Sequence, residues 1–102
     1  MSEKLLKIIN YYGVMHQLKY FQSEVFELNE AIIKYEYELD GDNYSSFTDE
    51  LKEHITEEIA DVEVMLLQFK EYYHIDGNEI LKIMNEKIDR QLKRMEGEKN
   101  GK

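Results

Sequence analysis

The chain has 102 residues, a formal charge of −9, 42% hydrophobic and 34% charged residues, five glycines, no proline and no cysteine. That is the length of one domain, with enough apolar material for a core. The acidic balance excludes nucleic acid as a general partner, because phosphate backbones call for basic faces, and the lack of cysteine excludes disulfides, thiolate nucleophiles and thiolate metal sites.

Residues 2–12 read as a short helix, with Ser2 as its cap and Leu5, Ile8, Ile9 and Tyr12 on one face. Gly13 ends it or marks a bend. From about Met15 to Leu39, the residues Leu18, Phe21, Val25, Leu28, Ile32, Tyr35 and Leu39 step by three and four, the spacing of an apolar stripe on one helix. A second line, Gln17, Tyr20, Glu24, Glu27 and Ala31, runs beside it. It puts Glu24 at the edge of the stripe, about 60° from its centre, with Glu27 further out. Asp40 to Phe47 (DGDNYSSF) reads as the one long loop.

Thr48 then caps a helix that runs to about Tyr73, with Asp49 and Glu50 placed to favour its N-terminal dipole. Leu51, Ile55, Val62, Met65, Phe69 and Tyr72 form its packing seam. One seam position is acidic: Glu58 lies about 30° from the centre of the stripe, and Asp61 about 90° away on the flank. A carboxylate turned toward a core is costly unless a cation meets it.

His74 to Gly77 reads as a turn, and Asp76 with Glu79 resembles a capping box opening the last helix. There Leu81, Met84, Ile88, Leu92 and Met95 are expected to form a buried stripe, with Asn85 at its edge and Lys87, Arg90 and Arg94 on another side. The polar tail after Gly97 is expected to fray. The expected organisation is one all-α domain over residues 1–96 and a flexible tail over 97–102. It is a helical bundle of one short and three longer helices, and three long seams in so short a chain leave a face to be completed by dimerisation. MSEKLLKIINYY lacks the apolar run and cleavage site of a signal peptide, and no apolar run approaches a membrane span. A cytoplasmic protein with no membrane partner is the expectation.

Two helices carry an acidic pair three residues apart, Glu24 with Glu27 and Glu58 with Asp61, so each pair climbs one turn of one face. With 22 acidic residues, chance alone yields about four or five such pairs, and a single pair reads as a solvated face. Position gives these two more weight. Both border or enter an apolar seam on the two longest helices, which fold antiparallel when the loop between them is of ordinary length. Four carboxylates brought together in a partly dry site repel one another and need cations. Oxygen donors without thiolates favour a hard ion, Mg²⁺ or Mn²⁺, which keeps some waters and shares substrate phosphates. Lys87 and Arg90 are suited to meet phosphate charge, or are simply the basic last turns of a helix.

In order, Glu24-Val-Phe-Glu27, then Glu58-Ile-Ala-Asp61, then Asn85-Glu-Lys87-Ile-Asp-Arg90, the chain resembles the MazG-like all-α nucleoside triphosphate pyrophosphohydrolases. QLKYFQSEVFELNEAI is similar to the family's Gln-containing lead into an acidic helix, and EEIADVEVMLLQF to its acidic-x-x-Asp helix followed by an apolar run. The resemblance covers about residues 14 to 94. It implies dimers or pairs of dimers that hydrolyse a nucleoside triphosphate to the monophosphate and pyrophosphate, in nucleotide house-cleaning or pool control. It implies that Glu24, Glu27, Glu58 and Asp61 hold Mg²⁺ (or Mn²⁺) and form the catalytic group, and that Gln17, Asn85, Lys87 and Arg90 bind substrate. The chain departs from the family at Ser23, where a second acid is frequent, and at Phe26 and Ala60, where glycines are. It also carries a longer segment between the two acidic motifs, whose Tyr44 and Phe47 read as surface aromatics.

Three other readings compete. A ferritin-like di-iron bundle wants two Glu-x-x-His motifs, and the chain offers one, Glu71-x-x-His74, at a helix end. His16 and His54 read as partly exposed, with His54 on the Glu58 side. A phosphoribosyl-ATP pyrophosphohydrolase is a relative of similar size and chemistry. A non-enzymatic acidic helical interaction module, from a different class, would use Glu58 to fix register.

Overall fold

The computed structural model describes residues 1–40 and 47–100, apart from the side chains of residues 39, 40, 47, 48 and 100. Four helices make up the described chain, α1 (Ser2–Tyr12), α2 (Val14–Asp40), α3 (Phe47–Tyr72) and α4 (Gly77–Asn100), with no strand among the described residues. The protein is all-α, as its periodicities predict. None of these helices is long and apolar enough to cross a membrane. Asp40 and Phe47, expected as loop ends, belong to helices, and residues 41–46 of that loop with Tyr44 lie outside the described residues. The chain divides into two compact units, residues 1–72 with α1 to α3 and residues 73–102 with α4.

In the first unit, α1 starts from Met1 and not from a Ser2 cap: Met1 holds the cap position, no side chain caps the helix, and Leu5 N donates to Met1 O at 3.2 Å. Leu5 and Ile9 are buried, Ile9 completely, and a fully buried residue of that size contributes about 1.5–3 kcal/mol. Ile8 and Tyr12, expected on the same face, are exposed. Gly13 marks the expected bend. Its N–H donates to Ile9 O at 2.8 Å, closing α1, and its carbonyl accepts from Gln17 N at 3.0 Å, opening α2. At φ 91° and ψ 147° this backbone suits glycine alone, and it lets α1 turn back onto α2 and, more extensively, α3.

α2 and α3 run antiparallel. Gln17 meets Gln68, the Phe21 and Phe69 rings lie edge to face at 5.7 Å, and further along Glu24 and Glu27 meet Glu58. The expected seam of α3 is fully realised: Glu58 and Met65 are buried, and Leu51, Ile55, Val62, Phe69 and Tyr72 are half-buried. α3 begins one residue before Thr48, whose side chain lies outside the described residues, and Asp49 and Glu50 occupy its first turn as expected.

α2 is turned differently from the expectation. Its buried positions are Gln17, Glu24 and Ala31, from the second line, while Leu18, Val25 and Ile32 of the apolar stripe are exposed. Phe21, Leu28 and Tyr35 are half-buried between the two. The apolar arc of α2 is wider than its neighbours can cover, and α1 and α3 take the flank that carries Glu24. The residue expected at the edge is therefore at the centre.

In the second unit, His74 adopts a left-handed φ of 54° after α3 ends. Asp76 Oδ1 accepts from Asn78 N at 2.9 Å and Asp76 O accepts from Ile80 N at 3.2 Å, so Asp76 caps α4 as its half of the capping box predicts. α4 continues through Gly97 to Asn100, since one glycine inside a helix costs only about 1 kcal/mol. The stripe of Leu81, Met84, Ile88, Leu92 and Met95 is continuous but not buried as expected: each residue is about half exposed in the single chain, because this unit contains no second helix.

Candidate metal centre

The i, i+3 pairs predicted from sequence face each other across the α2–α3 contact. One carboxylate oxygen from each of Glu24, Glu27 and Glu58 lies within 4.8 Å of the other two. Glu24 and Glu58 are only 5% and 8% exposed, whereas Glu27 opens to solvent. Glu24 Oε2 and Glu58 Oε2 are both shielded from solvent, and neither has a hydrogen-bond partner among the described residues. Two covered anionic oxygens with nothing to satisfy them are a costly arrangement for a chain to keep. Asp61, expected as a fourth member, is exposed and stands outside the tight group, although its charge still acts on Glu24 and Glu58.

Burial is the main reason both shielded carboxyls titrate above the ordinary carboxylate value. For Glu24, the Tyr20 hydroxyl one turn back opposes the rise by donating to the ionised form, and the charges of Asp61 and Glu27 add to it. For Glu58, the neighbouring Glu27 and Asp61 add to the effect of burial, and His54 opposes it. Tyr20 is in turn held above its usual phenol range, chiefly by its bond to Glu24. Mutual repulsion and desolvation thus act on the same atoms, and a cation would relieve both.

Beside the cluster opens a groove of about 460 Å³, with Glu27, Glu30, Glu58, His54 and Lys34 as its polar lining and Phe26 and Ile33 among its apolar walls. His54 Nε2 stands 3.9 Å from Glu58 Oε1, too far for a hydrogen bond, with its side chain 51% exposed. Phe26, which replaces a glycine of the resembled family, is a wall of this groove.

The remaining predicted site residues are Gln17 in the first unit and Asn85, Lys87 and Arg90 in the second. Gln17 is buried, its Nε2 donating to Gln68 Oε1 at 2.8 Å and its Oε1 lying 2.8 Å from His16 Nδ1. Gln68 Nε2 in turn donates to Met65 Sδ at 3.6 Å. Both ends of the Gln17 amide are thus engaged within the chain, where they clamp the start of α2 to the end of α3. Asn85, Lys87 and Arg90 are exposed on α4, where Lys87, Arg90, Gln91 and Arg94 border a depression of about 230 Å³.

Sequence reasoning gave no role to Tyr20 or Gln68. Tyr20 was detectable from its i−4 spacing to Glu24, which stacks the two on one face. Gln68 had no such signal, since its partner is 51 residues away. No family model, no curated protein and no solved structure matches the chain.

The donor set suits a hard divalent ion. Glu24, Glu27 and Glu58 offer oxygens alone, within a span that small side-chain shifts would bring into the ligand shell of one Mg²⁺ or Mn²⁺ ion.

Proposed function

We propose that this protein is a divalent-metal-dependent nucleoside triphosphate pyrophosphohydrolase of the MazG-like kind, releasing a nucleoside monophosphate and pyrophosphate in the cytoplasm. The observation that carries the reading is the pair of buried, unpartnered oxygens, Glu24 Oε2 and Glu58 Oε2, converging with Glu27 from two helices. A solvated acidic face needs no such burial, and a purely structural buried carboxylate would have a cationic or hydrogen-bonding partner.

In this reading Glu24, Glu27 and Glu58 hold Mg²⁺ or Mn²⁺, with Asp61 at the margin. Bound there, the ion supplies charge neutralisation at phosphate oxygens and a more acidic bound water. Asp61, exposed and outside the tight group, is the carboxylate that would be left to orient a water and accept a proton. Tyr20 donates to Glu24 and favours its ionised form against the larger effect of burial. The apolar walls at Phe26 and Ile33 give a nucleotide's base a dry surface beside the phosphates. The assignment of Asn85, Lys87 and Arg90 to substrate phosphates rests on the resemblance alone. The open apolar residues Val25, Ile32, Ile88 and Leu92 support association into a homodimer or a dimer of dimers.

The deciding experiment is hydrolysis of a panel of canonical, deoxy and modified nucleoside triphosphates, with Mg²⁺ and with chelator, and with the products identified. Monophosphate and pyrophosphate that disappear with chelator are expected. Folded protein with no turnover on any triphosphate, or on phosphoribosyl-ATP, would overturn the proposal in favour of a non-enzymatic interaction module.

A further inference from the structure

His54 is the imidazole that lines the groove beside the acidic cluster, and the geometry around it bears on which ion the cluster takes. It lies one turn before Glu58 on the same face of α3, and both line the groove that Glu27 enters from α2. Its Nε2 is 3.9 Å from Glu58 Oε1, while the other oxygen of that carboxylate is the shielded, unpartnered one. Two donors at about 2.1 Å from a common ion stand roughly 3 Å apart when adjacent and roughly 4 Å apart when opposite. The observed separation from Glu58 is within the range of co-ligands, while the ring stands outside the tight group of Glu24, Glu27 and Glu58. With half its surface in solvent, the ring is free to close the remaining distance by a small turn about its own side-chain bonds.

We infer that His54 is a ligand of the ion held by Glu58 and Glu27, so that the site prefers Mn²⁺ or a similar first-row divalent ion to Mg²⁺. An all-carboxylate site suits Mg²⁺, which takes oxygen donors almost exclusively; one imidazole nitrogen favours ions that accept both nitrogen and oxygen, and among these Mn²⁺ keeps the affinity for carboxylate and phosphate that the rest of the site offers. The inference rests on the reading of the cluster as a metal site.

The test loads the full-length protein with MnCl₂ and records pulsed electron paramagnetic resonance, beside thermal melts in MnCl₂ and in MgCl₂. Nitrogen hyperfine coupling to bound Mn²⁺ is expected in the natural chain and is expected to vanish in His54→Ala. Loss of the ring should weaken Mn²⁺ binding by roughly tenfold or more while changing the Mg²⁺ response little. Bound Mn²⁺ without nitrogen coupling, or with coupling that survives in His54→Ala, overturns the inference and leaves the metal site standing. No bound Mn²⁺ and no shift in melting temperature with either ion, in the natural chain, overturns the metal site itself.

Discussion

Glu58 faces two demands that nothing in the bare chain reconciles. Packing places it in the seam of α3 between Ile55 and Val62, and solvation asks it to be elsewhere. Replacing it with glutamine removes the charge and keeps the shape. Glu58→Gln is expected to leave the metal-free melting temperature unchanged or a few degrees higher, because repulsion from Glu27 and Asp61 is relieved. The same substitution should abolish hydrolysis and any stabilisation by Mg²⁺ or Mn²⁺ in a thermal melt. A large fall in the metal-free melting temperature would instead mark Glu58 as a structural partner of some cation. The position was legible in the sequence because one acid interrupted an otherwise apolar period. The central placement of Glu24 was not, because its neighbours offered two overlapping lines on α2 and periodicity alone does not say which flank a partner helix covers.

Between α2 and α3 the acidic centre is repulsive, so the contact must be held from its ends. The Gln17–Gln68 bond and the Phe21–Phe69 ring pair lie toward the start of α2 and do this on one side. Gln17→Leu would leave Gln68 Oε1 buried without its donor, at a cost of about 1–3 kcal/mol in denaturant unfolding. The double variant Gln17→Leu/Gln68→Leu should recover much of that loss, since an apolar pair leaves no orphan. If the double variant were as unstable as the sum of the singles, the amide pair would not be the element that matters. Helix spans were readable to within a residue or two of their ends from stepped apolar spacing, Gly13 and Asp76. The starts and ends of α3 and α4 were less legible, because helix ends depend on weak local terms that neighbouring turns override.

For the molecule as a whole, raised carboxyl values turn into a dependence of stability on pH. Glu24 and Glu58 bind protons more tightly folded than unfolded, where they titrate near 4.5. Above that value the native state carries the extra protons, so the contribution of this pair to stability falls as pH rises and is fully lost above the raised values. Metal-free protein is therefore expected to melt at higher temperature near about pH 5 than near about pH 7, a slope that the variant Glu24→Gln/Glu58→Gln should flatten. Saturating Mn²⁺ should reverse the slope, because the ion competes with protons for the same oxygens. A slope unchanged in the double variant would assign the effect to other groups. At this scale the sequence spoke clearly about class and less about burial. The stripe on α4 had the period of a core face, and the structure leaves it open, because periodicity reports that a face wants cover without saying what supplies it.

At Gly13 the backbone takes angles that a side chain would resist, and this residue separates α1 from α2. An alanine there would favour the alternative of one continuous rod from Ser2 to Asp40, carrying Leu5 and Ile9 away from their own α3. The seat they vacate is the same in every copy, so each arm could settle on its neighbour, and two chains would trade arms without losing a contact. Copies joined in this way must open before they part. Tagged and untagged Gly13→Ala chains, mixed after folding, are thus expected to exchange partners far more slowly than natural chains, and equal rates would mean that the bend survives the added methyl group. A single missing β-carbon would then be what keeps each chain folded on itself.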